Sequence, residues 1–322
     1  MTLRWPAIDC PSLRHPQRAT GALETLQEPL RPNYTLCLPV SRPWAWERWL
    51  MHFRHVALPP GTECLAIVDH GSEEFFEEVK AGLATLQWSG LRVLWMRRPA
   101  AAEWGDLEQR RARITGHWHT FLAHAQGRVV LGAEDDTLPD WDAYPRLLEH
   151  LEAGALFAQG TCIGRWDAGI VPHWTVVQDG RGPCEWRTGT YEGQDVAPIQ
   201  GGGWFCFAAL TEALRGVEFG SSPEPVGPDV WTCYQLSRAG RCVGDWRVQA
   251  LHIAETMDLS PNRETVDLVT FSREGGRWRR AISAGRGRVI EGREVQLAGS
   301  QPRPWREPSG RILKSVSMYG PE

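Results

Sequence analysis

Short apolar runs alternate with longer amphipathic segments in the first half of the chain, and this alternation constrains the fold more than any other sequence feature. The apolar runs cover residues 34–40, 64–69, 91–96 and 128–133, and the helical patterns between and after them cover 43–55, 73–86, 106–125 and 141–151. Strands that alternate with helices pack most simply as parallel strands between two helical layers. The sequence therefore predicts an α/β fold with a doubly wound, mostly parallel sheet.

The pattern changes after residue 151, where shorter strands and loops are expected at 155–163 and 173–177. Helices are predicted over 207–214 and 229–239, and a strand over 242–250. We expect three regions: an N-terminal arm (1–32), one large domain (33–255) and a small basic C-terminal extension (256–322). The net charge is −4 overall, but residues 271–315 carry eleven Lys and Arg against four Glu, so the extension differs electrostatically from the rest.

Three consecutive acids, Glu134, Asp135 and Asp136, follow the apolar run 128–133 directly. Adjacent carboxylates repel one another at the end of a buried strand unless a cation or a basic ligand neutralises them. The alternative is a charged strand end before a helix cap at Asp140. Asp69 ends the run 64–69 in the same way. Ligands of open α/β sheets bind at the carboxyl ends of the strands, so these acids are expected to share one crevice.

Four segments in this order resemble the GT-A fold glycosyltransferases, especially the broad family 2 type. They are Leu65-Ala-Ile-Val-Asp-His-Gly-Ser72, Val130-Leu-Gly-Ala-Glu-Asp-Asp136, Gly201-Gly-Gly-Trp-Phe205 and the stretch 227–240, with His252 after them. The resemblance covers about residues 34–252 and implies a Rossmann-like GT-A domain. It also implies transfer of a sugar from a nucleotide-diphosphate sugar, UDP-linked by preference, to an acceptor hydroxyl, with Mn²⁺ or Mg²⁺ as the cofactor.

The resemblance also assigns roles to residues on the donor side. Asp136, the last acid of the DxD-type motif, inherits the role of metal ligand, and His252 is a metal or diphosphate ligand or else merely structural. Glu134 and Asp135 are assigned to donor binding, although Glu134 departs from the usual Asp and Asp135 reads equally as a structural acid. The remaining donor-side candidates are Pro39 through its backbone, Asp69 through base or ribose, and Arg113 through phosphate. Alternatively, Asp69 only forms a turn, and Arg113 is an exposed side chain on a helix.

On the acceptor side, the resemblance makes Asp229 the general base of an inverting reaction. An Asp at the start of a helix is also an ordinary N-cap. Gly202 and Gly203 would let a sugar approach the backbone closely, and Trp204 and Trp231 would provide stacking platforms, unless both tryptophans belong to the core.

Other classes of site and enzyme fit less well. His117 and His119 diverge by about 200° on a helix, so they and His124 do not form a metal site. The chain has neither a GxGxxG turn after the first strand nor a GxxxxGK[ST] loop, which excludes the corresponding oxidoreductases and ATPases. A metal-dependent phosphoesterase, or a non-catalytic carbohydrate- or nucleic-acid-binding protein, stays open.

The sequence indicates a cytoplasmic location. Its eight cysteines include no CxxC pair, and no apolar stretch is long enough to span a membrane. The acceptor is unknown. Because the basic extension mixes arginine and tryptophan, hydroxylated DNA bases are one candidate acceptor, and a basic tail that packs on the acidic domain is the alternative.

Overall fold

The computed structural model describes eleven segments of the 322-residue chain. They are residues 23–28, 32–98, 107–164, 170–171, 174–177, 185–188, 196–217, 227–253, 269–274, 277–282 and 295–296. Most of the expected N-terminal arm and C-terminal extension therefore lies outside the described residues. Within the described residues, no helix is long and apolar enough to cross a membrane.

The first half of the fold alternates strands and helices, as the periodicity predicts. Its elements are β1 (Leu23–Gln27), β2 (Tyr34–Val40), α1 (Pro43–Phe53), β3 (Thr62–Val68), α2 (Glu73–Ala84), β4 (Gly90–Trp95), α3 (Leu107–His124) and β5 (Val129–Ala133). Helix α2 begins as expected, because Ser72 Oγ accepts a hydrogen bond of 3.1 Å from the backbone N–H of Phe75.

The second half contains more strands and shorter connections. Its elements are β6 (Thr137–Pro139), α4 (Ala143–Glu152), β7 (Phe157–Gly164), β8 (Ile170–Val171), β9 (Trp174–Val177), β10 (Glu185–Thr188), β11 (Val196–Pro198), β12 (Cys206–Leu210), α5 (Thr211–Arg215), α6 (Pro228–Ala239), β13 (Cys242–His252), β14 (Val269–Glu274), β15 (Arg277–Ile282) and β16 (Val295–Gln296). Strands β14 to β16 form a small antiparallel sheet of their own within the predicted basic extension.

One large sheet organises the domain, with strand order β1-β4-β3-β2-β5-β12-β7-β13-β11. Strands β4, β3, β2 and β5 are parallel neighbours, so their carboxyl ends meet at one edge of the sheet. Strand β12 runs antiparallel between β5 and β7, whereas β7 and β13 are parallel. The predicted α/β class is thus confirmed, with its parallel core in the first half.

Helices cover both faces of this sheet, which makes the fold doubly wound. Alternate residues of β3 point to opposite layers: Ala66 packs with helices α1, α2 and α4, whereas Leu65 and Ile67 pack with α3, α5 and α6. Both layers are mainly apolar and include Trp46 and Trp118, each at most 2% exposed. Burial of such side chains contributes about 2 to 3 kcal/mol each, so the sheet is held rigidly from both sides.

Two local predictions differ from the structure. The segment 207–214 does not form one helix, because Cys206–Leu210 is strand β12 and only Thr211–Arg215 is helical. A buried central strand is apolar on both faces, so it lacks the alternation that would distinguish it from a helix. In the expected irregular arm, Leu23–Gln27 instead forms the edge strand β1, which pairs antiparallel with β4.

Candidate functional site

The three consecutive acids lie in a tight turn between β5 and β6, at the sheet edge where β2 and β3 also end. The backbone N–H of Thr137 donates to the carbonyl of Glu134 at 3.1 Å and closes this turn. Asp135 and Asp136 are fully buried, whereas Glu134 is half-buried. The turn therefore directs three carboxylates with different surroundings into a small volume.

Asp135 holds the turn in place. Its Oδ2 accepts hydrogen bonds from the backbone N–H groups of Ser41, at 2.7 Å, and Arg42, at 2.8 Å, and its Oδ1 pairs with the Arg42 guanidinium. These contacts join the end of β5 to the connection between β2 and α1. The arrangement favours the structural interpretation of Asp135 over the donor-binding one.

Strand pairing brings Asp136 next to His252, although the two residues are 116 positions apart. Strand β6, which follows the acidic turn, pairs antiparallel with the end of β13, where His252 is the partner of Thr137. The backbone N–H of Ile253 also donates to the carbonyl of Asp136 at 2.9 Å. As a result, His252 Nε2 lies 3.0 Å from Asp136 Oδ2.

Glu134, Asp136 and His252 together form a set of side chains that suits a divalent cation. One ligand atom from each residue lies within 4.8 Å of the other two. Ligands on opposite sides of Mg²⁺ are separated by about 4.0 to 4.2 Å, so small side-chain adjustments would close the site. The two carboxylates and the imidazole are ordinary ligands for divalent cations, and the predicted metal residues Asp136 and His252 are thus brought together with Glu134.

The neighbouring acids and burial affect the titration of Glu134. Burial and the neighbouring Asp136 raise the pKa of Glu134 to about 7, against the lowering influence of His252 and Arg42. A bound cation would stabilise the carboxylate and lower this pKa. The structure therefore favours cation binding at Glu134 at neutral or higher pH.

Asp229 lies in the first turn of α6 and close enough to Glu134 to contribute to the raised pKa of that residue. It is not the N-cap that the sequence suggested: Gly227 is the N-cap residue and Pro228 begins the helix. Burial raises the pKa of Asp229 to about 6, although two backbone N–H groups and Arg111 act in the opposite direction. Asp229 is thus mostly ionised at neutral pH and able to accept a proton.

Gly227 leaves space beside the Asp229 carboxylate, since a Cβ atom there would lie 2.5 Å from Asp229 Oδ1. A Cβ atom at Gly203 would instead lie 2.6 Å from the Phe205 ring and would meet Asp229 Oδ2 only at an ordinary contact distance of 3.7 Å. Gly202 has a different role, since a Cβ atom there would lie 1.9 Å from Gln159 Oε1, which also accepts a hydrogen bond from Gly203 N–H. Packing against Gln159 therefore accounts for Gly202 without a substrate.

The two tryptophans proposed as stacking platforms occupy different environments. Trp204 is only 3% exposed and packs against Trp118 with ring centroids 5.0 Å apart, so the core interpretation applies to it. Trp231 is half-buried on α6 and stacks on Tyr234 at 5.2 Å. Trp231 lies two positions after Asp229 on α6, so the two side chains diverge by about 200° around the helix, and the contact of Trp231 with an acceptor stays a prediction.

Asp69 follows the last residue of β3 and is surrounded by basic side chains. Its carboxylate is 3.0 Å from Arg98 Nε, 3.1 Å from His117 Nε2 and 3.7 Å from Arg113 Nε. Burial alone would raise the pKa of Asp69, but these three partners together lower it. Half-buried Pro39 lies on the neighbouring strand β2, opposite Ile67.

The environment of Asp69 corrects two interpretations of helix α3. Arg113 is an ion-pair partner of Asp69 with 20% of its side chain exposed, not an exposed surface arginine. His117 contacts Asp69, a role that the sequence interpretation missed. Their spacing of four residues places Arg113 and His117 on one helical face, and this periodicity was the available signal.

Known proteins offer limited comparison. No protein-family model matches the sequence, and no curated protein matches it significantly. Among solved structures, GalNAc-T7 with UDP, GalNAc and Mn²⁺ aligns with 70% of this chain and 45% of its own, at 14% identity and a TM-score of 0.48. The mannosyltransferase PcManGT from Pyrobaculum calidifontis, in complex with GDP-Man and Mn²⁺, aligns with 73% and 61%, at 16% identity and a TM-score of 0.48.

A third similar structure, A197 from STIV, aligns with 72% of this chain and 91% of its own, at 15% identity and a TM-score of 0.39. The first two structures hold Mn²⁺ together with UDP or GDP-Man. The match spans less than two thirds of those two structures, and all identities and TM-scores are low.

Proposed function

We propose that this chain is a metal-dependent glycosyltransferase that moves a sugar from a nucleotide-diphosphate sugar to an acceptor hydroxyl. The observation that carries the proposal is the grouping of Glu134, Asp136 and His252 within 4.8 Å, with the ionisable Asp229 close to Glu134. A cation-binding set beside a carboxylate base is what transfer of a glycosyl group from a diphosphate requires.

In the donor half of the proposed site, Asp136, His252 and Glu134 hold Mn²⁺ or Mg²⁺. The cation offsets the negative charge that develops on the diphosphate leaving group. Asp135 contributes indirectly, because its hydrogen bonds to the backbone of Ser41 and Arg42 fix the turn that carries Asp136. A fixed turn is important because displacement of a ligand by about 1 Å would weaken both cation and donor binding.

On the acceptor side of the proposed site, Asp229 removes the proton from the acceptor hydroxyl as its oxygen attacks the anomeric carbon. A single displacement of this kind inverts the anomeric configuration. Its raised pKa, about 6, suits a base that works at neutral pH, since the group is ionised yet retains basicity. Gly227 leaves room beside the carboxylate, because a Cβ atom there would lie 2.5 Å from Asp229 Oδ1. Contact of the acceptor with Gly203 and Trp231 is part of the proposal and awaits a structure with an acceptor.

We also propose that the nucleotide binds near Asp69 and Pro39. Arg98, Arg113 and His117 already engage the Asp69 carboxylate, so its role here is to hold these side chains for contact with the nucleotide, in addition to any hydrogen bond that it accepts itself. UDP-linked sugars are the first donors to test, followed by GDP-linked sugars.

Hydroxylated DNA bases are the proposed first acceptor to test. Strands β14 and β15 carry Arg273, Arg277, Arg279, Arg280 and Trp278 in sequence, and the region around them has a strong excess of basic residues. Basic and aromatic residues together are typical of nucleic-acid surfaces. Salt-dependent DNA binding that is lost when residues after Glu255 are removed would support this acceptor, and no binding at low salt would contradict it.

A panel of nucleotide sugars with Mn²⁺ and Mg²⁺ tests the proposed function. Nucleotide release should require a divalent cation and should fall to background in Asp136→Ala. Release that is absent throughout, or is independent of metal and unchanged in Asp136→Ala, would overturn the transferase proposal. Hydrolysis of simple phosphate esters without sugar transfer would instead identify a phosphoesterase.

A further inference from the structure

Arg42 places a protein cation directly against the carboxylate that we propose as the principal metal ligand. Its Nε atom lies 3.2 Å from Asp136 Oδ2, the same oxygen that lies 3.0 Å from His252 Nε2. Its guanidinium also pairs with Asp135 Oδ1. One side chain thus joins two of the three consecutive acids, and none of the roles described above uses it.

The position of Arg42 is fixed from both ends. The backbone N–H of Arg42 donates to Asp135 Oδ2, and Arg42 is the N-cap residue of α1. The Cα atom of Arg42 therefore lies in a rigid connection between β2 and α1. The Asp135 side chain that holds the guanidinium is fully buried, whereas 25% of the Arg42 side chain is exposed. Arg42 is therefore anchored on the acids and still accessible to an anion that enters the site.

We propose that Arg42 is a built-in counter-cation that makes divalent cation binding depend on the nucleotide diphosphate. This inference rests on the proposed function. A fixed positive charge beside Asp136 opposes a second cation at the same carboxylate, so the site binds Mn²⁺ or Mg²⁺ weakly by itself. A diphosphate attracts both the cation and the guanidinium, so each of the two ligands strengthens the binding of the other.

His252 fits this arrangement. As a metal ligand it must present the lone pair of Nε2, so cation binding replaces its present contact with Asp136 Oδ2. Arg42 has no lone pair to offer and stays a cation throughout. The two neighbours of Asp136 Oδ2 therefore behave differently when a cation binds. His252 gives up its contact with Asp136 and becomes a ligand of the cation. Arg42 stays beside the carboxylate, where it acts through its charge and holds the carboxylate in position.

Titration of the full-length protein with Mn²⁺, followed by the electron paramagnetic resonance of the free ion, tests this proposal with and without UDP. Arg42→Gln removes the charge, Arg42→Lys keeps it, and Asp136→Asn removes the principal ligand. We expect Arg42→Gln to bind Mn²⁺ alone roughly tenfold more tightly than the wild type, because the repulsion is lost. The enhancement of Mn²⁺ binding by UDP should shrink by a similar factor, and Arg42→Lys should resemble the wild type.

If Arg42 only stabilised the acidic turn, the result would differ, because Arg42→Gln would loosen the turn and weaken Mn²⁺ binding. Unchanged or weaker Mn²⁺ binding by folded Arg42→Gln, or tighter binding by Arg42→Lys as well, would overturn the role of Arg42. If Mn²⁺ binding is absent in the wild type, or is unaffected by Asp136→Asn, the proposed metal site and this inference both fail. Thermal unfolding of each variant establishes that the protein titrated is folded.

Discussion

Two buried ionic clusters lie at opposite edges of the same parallel sheet, and they differ in charge balance. At the amino edge, Glu63 near the start of β3 pairs with Arg92 of β4 at 2.7 Å. Glu63 also accepts hydrogen bonds from Thr35 Oγ1, at 2.6 Å, and Gln126 N–H, at 3.0 Å. At the carboxyl edge, Arg42 pairs with Asp135 and Asp136, and His252 contacts Asp136. Glu134 and Asp229 lie close to this group, and Arg111 lies near Asp229.

This difference distinguishes an ion pair that only stabilises the fold from a group of acids that can bind a ligand. The amino-edge pair has one acid for one base, with both side chains at most 6% exposed, so nothing further is needed to neutralise it. The acidic turn instead brings Glu134, Asp135 and Asp136 together, and burial raises the pKa of Glu134 and of the nearby Asp229. Folding gains nothing from buried carboxylates whose ionisation is disfavoured, so we propose that a cation binds at this turn.

The largest expected effect is the loss of activity when an acid at the carboxyl edge, Asp136, is replaced. Asp136→Asn keeps the shape of the side chain but weakens its metal coordination, so nucleotide release should fall by roughly a thousandfold or more. The free energy of unfolding should change little by comparison. Steady-state release assays and urea unfolding on the same preparation measure both quantities; a fully active variant would contradict the assignment.

The corresponding change at the amino edge should affect stability instead. Glu63→Gln leaves the Arg92 charge buried without its acid and should lower the free energy of unfolding by about 3 to 5 kcal/mol. Glu77→Gln, which breaks an exposed pair with Lys80, is the matched control and should cost less than about 1 kcal/mol. Urea unfolding of both variants distinguishes the two edges; equal losses would remove the contrast between them.

Asp229→Asn should separate catalysis from binding and from stability. Sugar transfer should fall by roughly a hundredfold to ten-thousandfold, with donor binding retained. Since the folded pKa of Asp229, about 6, lies above its ordinary value, ionisation opposes folding above that pH, and the amide should stabilise the protein by about 1 to 2 kcal/mol at pH 7.5. Normal transfer by the variant would point to another base.

Mn²⁺ affinity should increase with pH around neutrality. Because the pKa of Glu134 is raised to about 7, a cation competes with a proton there below that pH, and affinity should drop by up to about tenfold per pH unit. Titrations between pH 6 and 8 measure this slope. Glu134→Gln should bind Mn²⁺ more weakly with a shallower slope; an equally steep slope in the variant would assign it to other groups.

The smallest expected effect concerns the space around Asp229. Gly227→Ala would place a Cβ atom 2.5 Å from Asp229 Oδ1, so transfer should fall roughly threefold to tenfold as the carboxylate shifts. Gly216→Ala is the control, because its Cβ atom would meet only ordinary contacts of 3.4 Å. Equal transfer rates in the two variants would show that the position of Asp229 is not limiting.

Local sequence patterns predicted the framework and the principal acids. The strands β2 to β5 and the acids that follow them are visible because hydrophobic periodicity and strand ends are local features. Strand β12 was mistaken for a helix because apolar and polar residues do not alternate in a strand that is buried on both faces. The short strand β6 was not predicted either, since its residues form a strand only through pairing with β13.

The basic partners of the acids were harder to predict. Arg42 contacts Asp135, 93 positions away, and His117 contacts Asp69, 48 positions away, and no local pattern specifies such contacts. His252 was assigned through resemblance alone, and the β6 to β13 pairing explains why it meets Asp136. The partners that balance the charge of a site thus depend on tertiary contacts, whereas the positions of the acids can be predicted from the local sequence.

The most direct test of the central claim is a crystal structure with Mn²⁺ and UDP, measured for anomalous scattering. The account predicts one strong manganese peak within about 2.0 to 2.3 Å of a ligand atom of both Asp136 and His252, with Glu134 bound directly or through water. Manganese bound elsewhere, or no peak at the carboxyl edge of the sheet, would contradict it.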